Sequence, residues 1–432
     1  MTSHSFLNRQ ALYLRPDPAR VLIRPFNPTA DNRDLDPLGR TRAKRMLERI
    51  HGLDPAIATA LMADVLENFA GRHRNLRAVF EARADEVEPG LLNTPAGALL
   101  RQLIGAFFLH EYAFESAALF NPSIVRHPDQ TGAPEGGMRF VLSLRAVGEG
   151  HVSSLTFRVG SIAADGAVQV DPTARLATLP RVVSRREGPL GQTLDLRFAA
   201  EEDISERVIF PLTREQANGI EDARFVLFTD DDGSQTYYAT YTAYDGRAIR
   251  SELIETKDFL NFRMTPLAGE AARNKGMSLF PRRIGGRYAM ISRQDNENLY
   301  LIMSDDLYTW NGGVMLLQPE FAWEFVQIGN CGSPIELDEG WLMLTHGVGA
   351  VRRYAIGAAL LDKKDPSRVL ARAREPLVHP EPSEREGYVP NVVYTCGAIR
   401  HRGLIVLPYA VCDSFSNFAT IRIDALLAAM DG

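Results

Sequence analysis

The densest grouping of reactive side chains is the run Asn218-Gly219-Ile220-Glu221-Asp222-Ala223-Arg224-Phe225. Two adjacent carboxylates and an arginine lie between a glycine and the apolar run Phe225-Val226-Leu227-Phe228, which Asp230-Asp231-Asp232-Gly233 ends in a turn. The apolar run reads as a buried strand, so Asp222 is expected just before a strand, where a rigid element can aim an acid. A solvated or arginine-paired loop carboxylate would look the same. Three further positions carry cations or protons: Arg250 ahead of Leu253-Ile254, Lys275 just before Leu279-Phe280-Pro281, and His346 at the end of the apolar run that begins at Trp341. Taken singly, each reads as a satisfied structural group or a snorkelling charge. Gathered in one pocket, they would make an anion site. Phosphate carries about −1.5 to −2 charges at neutral pH, and a guanidinium grips two of its oxygens.

Groups so far apart in sequence need a fold that brings strand ends together. From Phe120 onward, short runs rich in Val, Ile, Leu, Phe and Tyr alternate with Gly, Asp and Asn turns; examples are Phe140–Leu144, Gln235–Tyr241, Arg287–Ile291 and Leu404–Leu407. No helix long enough for a parallel crossover separates them, which disfavours a doubly wound α/β sheet. Lys257-Asp258-Phe259-Leu260-Asn261-Phe262 and Asp305-Asp306-Leu307-Tyr308-Thr309-Trp310 echo each other, about fifty positions apart, the spacing of propeller blades. The roughly 310 residues from Phe120 on would make about five blades; a pair of β-sandwiches is the alternative. We therefore expect an all-β chain, a five-bladed β-propeller over residues 117–432, in which residues from every blade can meet at the axis.

The chain before it is of different character. Residues 1–37, interrupted by Pro16, Pro18, Pro25, Pro28 and Pro37, are expected to be irregular, with Val21-Leu22-Ile23 adding a short strand to another element. Residues 38–116 are expected to form an N-terminal α-helical module. Asp54-Pro55 and Thr94-Pro95 are cap-plus-proline starts, Ile57, Leu61, Val65 and Phe69 recur every fourth residue, and Gly71 is a stop. Leu100, Leu103, Ile104, Phe107 and Phe108 make a second apolar face, with shorter helices over 41–50 and 75–84. The module reads as a cap packed on the larger domain, with a homo-oligomer or partner surface as the alternative.

Composition removes several function classes. The 432 residues carry a net charge of −6 with both signs interspersed, so no basic stripe invites nucleic acid. The start, Met1-Thr2-Ser3-His4-Ser5-Phe6, lacks a secretory pattern, and the apolar stretch 96–109 is too short to span a membrane and contains Arg101 and Gln102. Cys331, Cys396 and Cys412 are odd in number and widely spaced, and the nine histidines form no His-x-x-x-His pair. Reduced, buried thiols, a cytoplasmic location and no metal are expected.

In order along the chain, several segments resemble glycoside hydrolase family 130, the inverting mannoside phosphorylases and related mannosidases. Gly219-Ile220-Glu221-Asp222-Ala223-Arg224 is similar to its Gly-x-Glu-Asp-Pro-Arg signature; Tyr241 to Gly246 with Arg250 and Thr256-Lys257-Asp258-Phe259 follows; then Lys275 with Leu279-Phe280-Pro281. Gly340-Trp341-Leu342 with His346-Gly347, Gly357 to Asp362 with Asp365-Pro366, Gly387 to Val393, Cys396-Gly397 and Tyr409 to Asp413 complete the series. The resemblance spans about residue 115 to the end and leaves out the helical module.

It implies a five-bladed propeller with an axial pocket. Asp222 would be the general acid, protonating the glycosidic oxygen through the sugar's 3-hydroxyl. Arg250, Lys275 and His346 match phosphate-binding positions, Asp413 a mannose-binding carboxylate, and Arg145, Asn121, Tyr354 and Glu221 further substrate contacts. Inorganic phosphate would be co-substrate, with no cofactor, and a mannose-containing oligosaccharide the donor. The chain departs from the family in carrying Ala223 for proline, Gly150-His151-Val152-Ser153-Ser154 where an arginine commonly follows the serine, and Ser292-Arg293-Gln294 for His-Arg-Pro.

Three functions compete. Phosphorolysis of a β-mannoside would give α-mannose 1-phosphate. An inverting β-mannosidase would need a second carboxylate, near Glu384 or Glu386, roughly 6.5–9.5 Å from the acid, to activate water. A non-catalytic mannoside-binding propeller would use neither. Retention of the cationic positions favours the first, since water needs no cationic cradle.

Overall fold

The computed structural model describes residues 6–28, 35–91 and 94–430. Met1–Ser5, where the secretory reading was made, and residues 29–34 of the segment expected to be irregular lie outside the described residues, as do 92–93 and 431–432. The chain divides into two units, one built on residues 19–113 with 175–178 and one holding the rest.

Among the described residues, the smaller unit contains four helices, α1 (Arg42–His51), α2 (Pro55–Asn68), α3 (Leu76–Val87) and α4 (Pro95–Phe107). Thr41, Asp54 and Thr94 cap α1, α2 and α4 by accepting backbone N–H bonds, which satisfies donors that a helix start leaves orphaned. Met62, Phe80, Ala84, Leu103 and Ile104 form its core. Leu22–Pro25 pairs with Leu109–Tyr112, so the strand expected at Val21–Ile23 forms one residue later.

The larger unit is built almost wholly of antiparallel strands. Up-and-down groups follow one another along the chain: Ala118–Arg126, Met138–Val147 and Ser153–Ile162; then Gly219–Thr229, Gln235–Tyr244, Ile249–Thr256 and Asn261–Pro266; then four strands from Ser278–Leu279 to Val314–Leu317; then Gln327–Asn330 to Val369–Arg372; and last Val393–Tyr394, Leu404–Val411 and Phe415–Arg422. The first two groups share a sheet only through the single pair Gly219↔Ser153. The hairpin Arg181–Gly188 and Gly191–Arg197 extends the outer edge of the second group.

The apolar side chains pack between groups. Phe157 of the first meets Phe225, Phe259 and Phe262 of the second. Phe228 and Leu253 meet Met290 and Trp310 of the third, and Phe280 meets Trp341 of the fourth. Leu344 and Ile356 meet Leu407 and Tyr409 of the fifth, and Ala410 returns to Phe120 and Val147 of the first. Each large side chain so buried contributes about 1.5–3 kcal/mol.

The echoed segments occupy matching places. Each follows the third strand of its group, Asp258 and Asp306 accept backbone N–H bonds in the turn, and the closing aromatics Phe262 and Trp310 are buried. Residues 7–14 depart from expectation. Leu7–Leu14 is a strand, not irregular chain, and pairs antiparallel with Phe415–Arg422, joining the first strand of the chain to the last.

Candidate active site

Three of the groups present their first strand, the third the loop at Lys275 and Gly276 just ahead of its own, and the fifth Val389, Val392 and Tyr394, to one cavity of about 250 Å³. Asp222 does not precede its strand but lies within Gly219–Thr229, at a break in register between Glu221 and Arg224. Its φ is 55°. Asn121 repeats the device in Ala118–Arg126, with a register break between Phe120 and Ser123 and a φ of 48°. Such bulges turn a side chain out of the ladder, and left-handed backbone at a non-glycine residue is held only where surrounding structure enforces it. The two bulges aim their side chains at each other: Asn121 Nδ2 donates to Asp222 Oδ1 at 2.6 Å. Asp413 has a φ of 49° in the turn between Leu404–Val411 and Phe415–Arg422 and reaches the same cavity.

Cations surround these acids. Arg145 donates to Ser153 Oγ at 2.8 Å, to Glu221 at 2.6 Å and to Asp222 at 3.3 Å. Lys275 is ion-paired to Glu221; its loop is fixed by Asn274 Nδ2 on the Gln294 carbonyl at 2.7 Å, and Gly276 there has a φ of 100°. Arg224 donates to the Asp222 carbonyl at 2.9 Å and to the Tyr394 hydroxyl at 2.6 Å. Burial pushes the Asp222 carboxyl up, but Arg145, Arg224 and Lys275 outweigh it and hold it at about 2. Burial raises Asp413 to about 6; Arg145 opposes the rise and Asp222 adds to it.

His346, in the buried strand Trp341–Val348, stacks on Tyr354 at 5.9 Å and meets Tyr394 edge-on at 4.9 Å. Burial, then Arg293 and Arg224, drives its pKa well below the ordinary value; the imidazole is neutral. Arg293 Nη1 stands 3.5 Å from His346 Nε2, and its Nε is buried without a hydrogen-bond partner. Among the described residues, no carboxylate pairs with this guanidinium, which is only 8% exposed. Burial lowers its pKa as well.

Of the positions expected from sequence, Asp222, Lys275, His346, Asp413, Arg145, Asn121, Tyr354 and Glu221 line the cavity. Arg250 does not. Its guanidinium is taken by Glu252 and the Leu190 carbonyl, at the tip of the 181–197 hairpin that lies over it. Glu384 is bonded to Tyr409 at 3.1 Å and caps its own short helix, and Glu386 is exposed; neither lines the cavity. Arg293, Arg224, Arg352 and Asn330 also line it. Arg224 was visible two residues from Asp222 in the signature, and Arg293 survives in the middle of the altered Ser-Arg-Gln triplet.

The profile of glycoside hydrolase family 130, described as beta-1,4-mannooligosaccharide phosphorylase, matches residues 196–432. This chain belongs to glycoside hydrolase family 130. Among characterised relatives, the family member is 34% identical over 216 residues to a 1,2-beta-oligomannan phosphorylase of Thermoanaerobacter sp. (strain X514), covering 49% of this chain and 71% of the relative. It is 31% identical to a beta-1,2-mannobiose phosphorylase of Listeria innocua, over 52% of this chain and 63% of the relative. A solved beta-1,2-mannobiose phosphorylase from Listeria innocua, in complex with beta-1,2-mannobiose, shares its fold with a TM-score of 0.54 at 22% identity, over 73% of this chain and 92% of that one.

Proposed function

We propose that this chain is an inverting β-mannoside phosphorylase. Its larger unit is a five-bladed β-propeller, the catalytic domain of residues 117–432, with residues 38–116 a separate helical module. The five strand groups, and the apolar seams that run from each to the next and back to the first, support the blade count.

The charge of the cavity carries the functional reading. Arg145, Arg224, Lys275, Arg293 and Arg352 face Glu221, Asp222 and Asp413, a surplus of two positive charges around a neutral His346. That surplus matches phosphate, at about −1.5 to −2. Arg293, buried without a carboxylate, is the group that most needs such a partner, because a desolvated charge left unpaired is costly.

Phosphate, cradled by Arg293 and Lys275 with His346 alongside, attacks the anomeric carbon of the bound mannoside from the face opposite the departing oxygen. Asp222 supplies the proton to that oxygen through the sugar's 3-hydroxyl, and Asp413, Asn121 and Arg145 hold the mannose. The products are α-mannose 1-phosphate and the shortened sugar. Asp222 is ionised while the cradle is empty; a bound phosphate offsets the field that keeps it so, and favours the protonated form that catalysis uses. Holding the nucleophile in line lowers the entropic cost of joining two reactants. Glu384 and Glu386, the carboxylates expected to serve hydrolysis, are not among the residues that line the cavity.

The test runs the reaction backwards. Mannose 1-phosphate with a panel of mannose and glucose acceptors should release inorganic phosphate and form a new disaccharide. Failure with every acceptor, together with release of free mannose from β-mannosides in phosphate-free buffer, would replace phosphorolysis by hydrolysis.

A further inference from the structure

The segments that build the catalytic cavity also build a second one. Asn121 lies in the first cavity and Ile124 to Arg126 in the second; Asp222 and Arg224 in the first, Phe225, Val226, Leu227 and Thr229 in the second. The same holds for Lys275 and Arg282, for Asn330 and Ser333, and for Tyr394 and Arg400. The two cavities therefore lie at opposite ends of the same five segments.

Between them the segments pack backbone to backbone. Cys396 N–H donates to the Pro122 carbonyl at 2.8 Å, and Phe225 N–H to Ser123 Oγ at 3.0 Å. A side chain at Gly332 would stand 2.4 Å from the Cys396 carbonyl oxygen, and one at Gly397 2.7 Å from Ser123 Oγ. Nothing as large as a sugar or a phosphate passes through such a floor, so whatever occupies the second cavity enters from its own mouth.

The second cavity, of about 360 Å³, has a different chemistry. Val125, Phe225, Leu227, Ile335 and Ile399 give it an apolar wall. Arg126, Arg282 and Arg400 stand around that wall with Glu336 as the one carboxylate of the lining. Arg282 is spent on Glu336 through two bonds of 2.9 and 2.8 Å. Arg400 bonds the Arg402 and Glu336 carbonyls at 3.4 and 3.3 Å, and the one carboxylate near it among the described residues is the highly exposed Asp338 at 3.7 Å, a contact worth little in water. Among the described residues, no carboxylate lies within ion-pair distance of Arg126. The hydroxyl of Ser333 is buried without a hydrogen-bond partner. A hydrophobic wall, surplus guanidinium charge and an unused hydroxyl are the complement of a molecule with an apolar body and an anionic head.

We propose that this mouth is a second binding site, distinct from the catalytic cavity, for a small amphipathic carboxylate. The aliphatic or aromatic body lies on the Phe225–Ile399 wall, and the carboxylate meets Arg126 and Arg400 with the Ser333 hydroxyl beside them.

Calorimetric titration of the full-length protein in saturating phosphate, which keeps the catalytic cradle filled, tests this with 3-phenylpropionate and its alcohol, 3-phenylpropanol. The acid should bind saturably, with a Kd in the millimolar range or tighter and at least about tenfold below that of the alcohol, a factor equivalent to about 1.4 kcal/mol. Arg126→Ala with Arg400→Ala should weaken the acid about tenfold or more while leaving phosphorolysis unchanged. Arg126→Gln alone, at an exposed side chain, should weaken it in the same direction. Absence of saturable binding, equal binding of acid and alcohol, or an affinity untouched by either variant would overturn the proposal.

Discussion

At the scale of single residues, phosphate binding turns on charges that the protein itself does not neutralise. Arg293 is buried against a neutral imidazole, so its cost in the empty protein is the desolvation of a guanidinium with no counter-ion. Arg293→Met removes that cost. In phosphate-free buffer the variant should melt at or above the parent temperature, since replacing an uncompensated buried charge by an apolar chain is neutral or stabilising. With phosphate at a hundred times its Kd, the parent should gain about 2.7 kcal/mol, and the variant should gain almost none; paired thermal melts decide it. Asp413 gives a second handle. Its carboxyl titrates at about 6 in the folded protein against an ordinary value of 3.8. The native state therefore holds the extra proton between those values, and stability falls as pH rises through this window. Asp413→Asn removes the penalty, so it should stabilise the protein by about 2–3 kcal/mol at pH 7.5 and by almost nothing at pH 3.5, while weakening mannoside binding. Denaturant melts at the two pH values would show a pH-independent difference if the reading of Asp413 is wrong.

At the scale of elements, the site is made of departures from regular strand. Asn121 and Asp222 stand at bulges, and Asp413 in a left-handed turn. Sequence periodicity shows the strand but not the bulge, because both residues on either side of one still alternate plausibly. For that reason Asp222 was expected ahead of its strand and lies inside it. Two helix starts were legible, since Asp54-Pro55 and Thr94-Pro95 announce themselves by local chemistry. Arg250 was not placed correctly from sequence, because its surroundings are set by Leu190, 60 positions away on another hairpin. His346 depends on a close approach of the facing strand: a β-carbon at Gly329 would fall 2.2 Å from the imidazole Cε1. Gly329→Ala should push the ring out of place, cost about 1–3 kcal/mol by overpacking, and weaken phosphate binding more than mannoside binding. Unchanged phosphate affinity would remove His346 from the cradle.

At the scale of the whole molecule, the chain's first strand pairs with its last. Leu7–Leu14 lies on Phe415–Arg422, Arg9 is ion-paired to Glu381, and its guanidinium also reaches the His379 carbonyl at 2.9 Å. Nothing in Leu-Asn-Arg-Gln-Ala-Leu-Tyr-Leu marked it as a strand beside five interrupting prolines, because its partner lies some four hundred residues away and only the finished fold supplies it. Removing residues 6–14 should expose an unpaired edge, lower the melting temperature by several degrees, and broaden the transition. A variant that melted like the parent would show that the strand is dispensable. The repeat of strand groups, by contrast, was visible in two places, because the second and third groups share an Asp-capped turn after their third strand that leads to a buried aromatic, Phe262 and Trp310.

The central claim is that Asp222 and a phosphate bound by Arg293 and Lys275 act together on one glycosidic bond. Phosphorus NMR of a β-mannobiose incubated with the protein and inorganic phosphate tests it most directly. The account predicts α-mannose 1-phosphate as the first product, none without phosphate, and a rate lowered at least about 10²–10⁴-fold by Asp222→Asn. Free mannose appearing without phosphate, a β-configured product, or an Asp222→Asn variant as fast as the parent would contradict it.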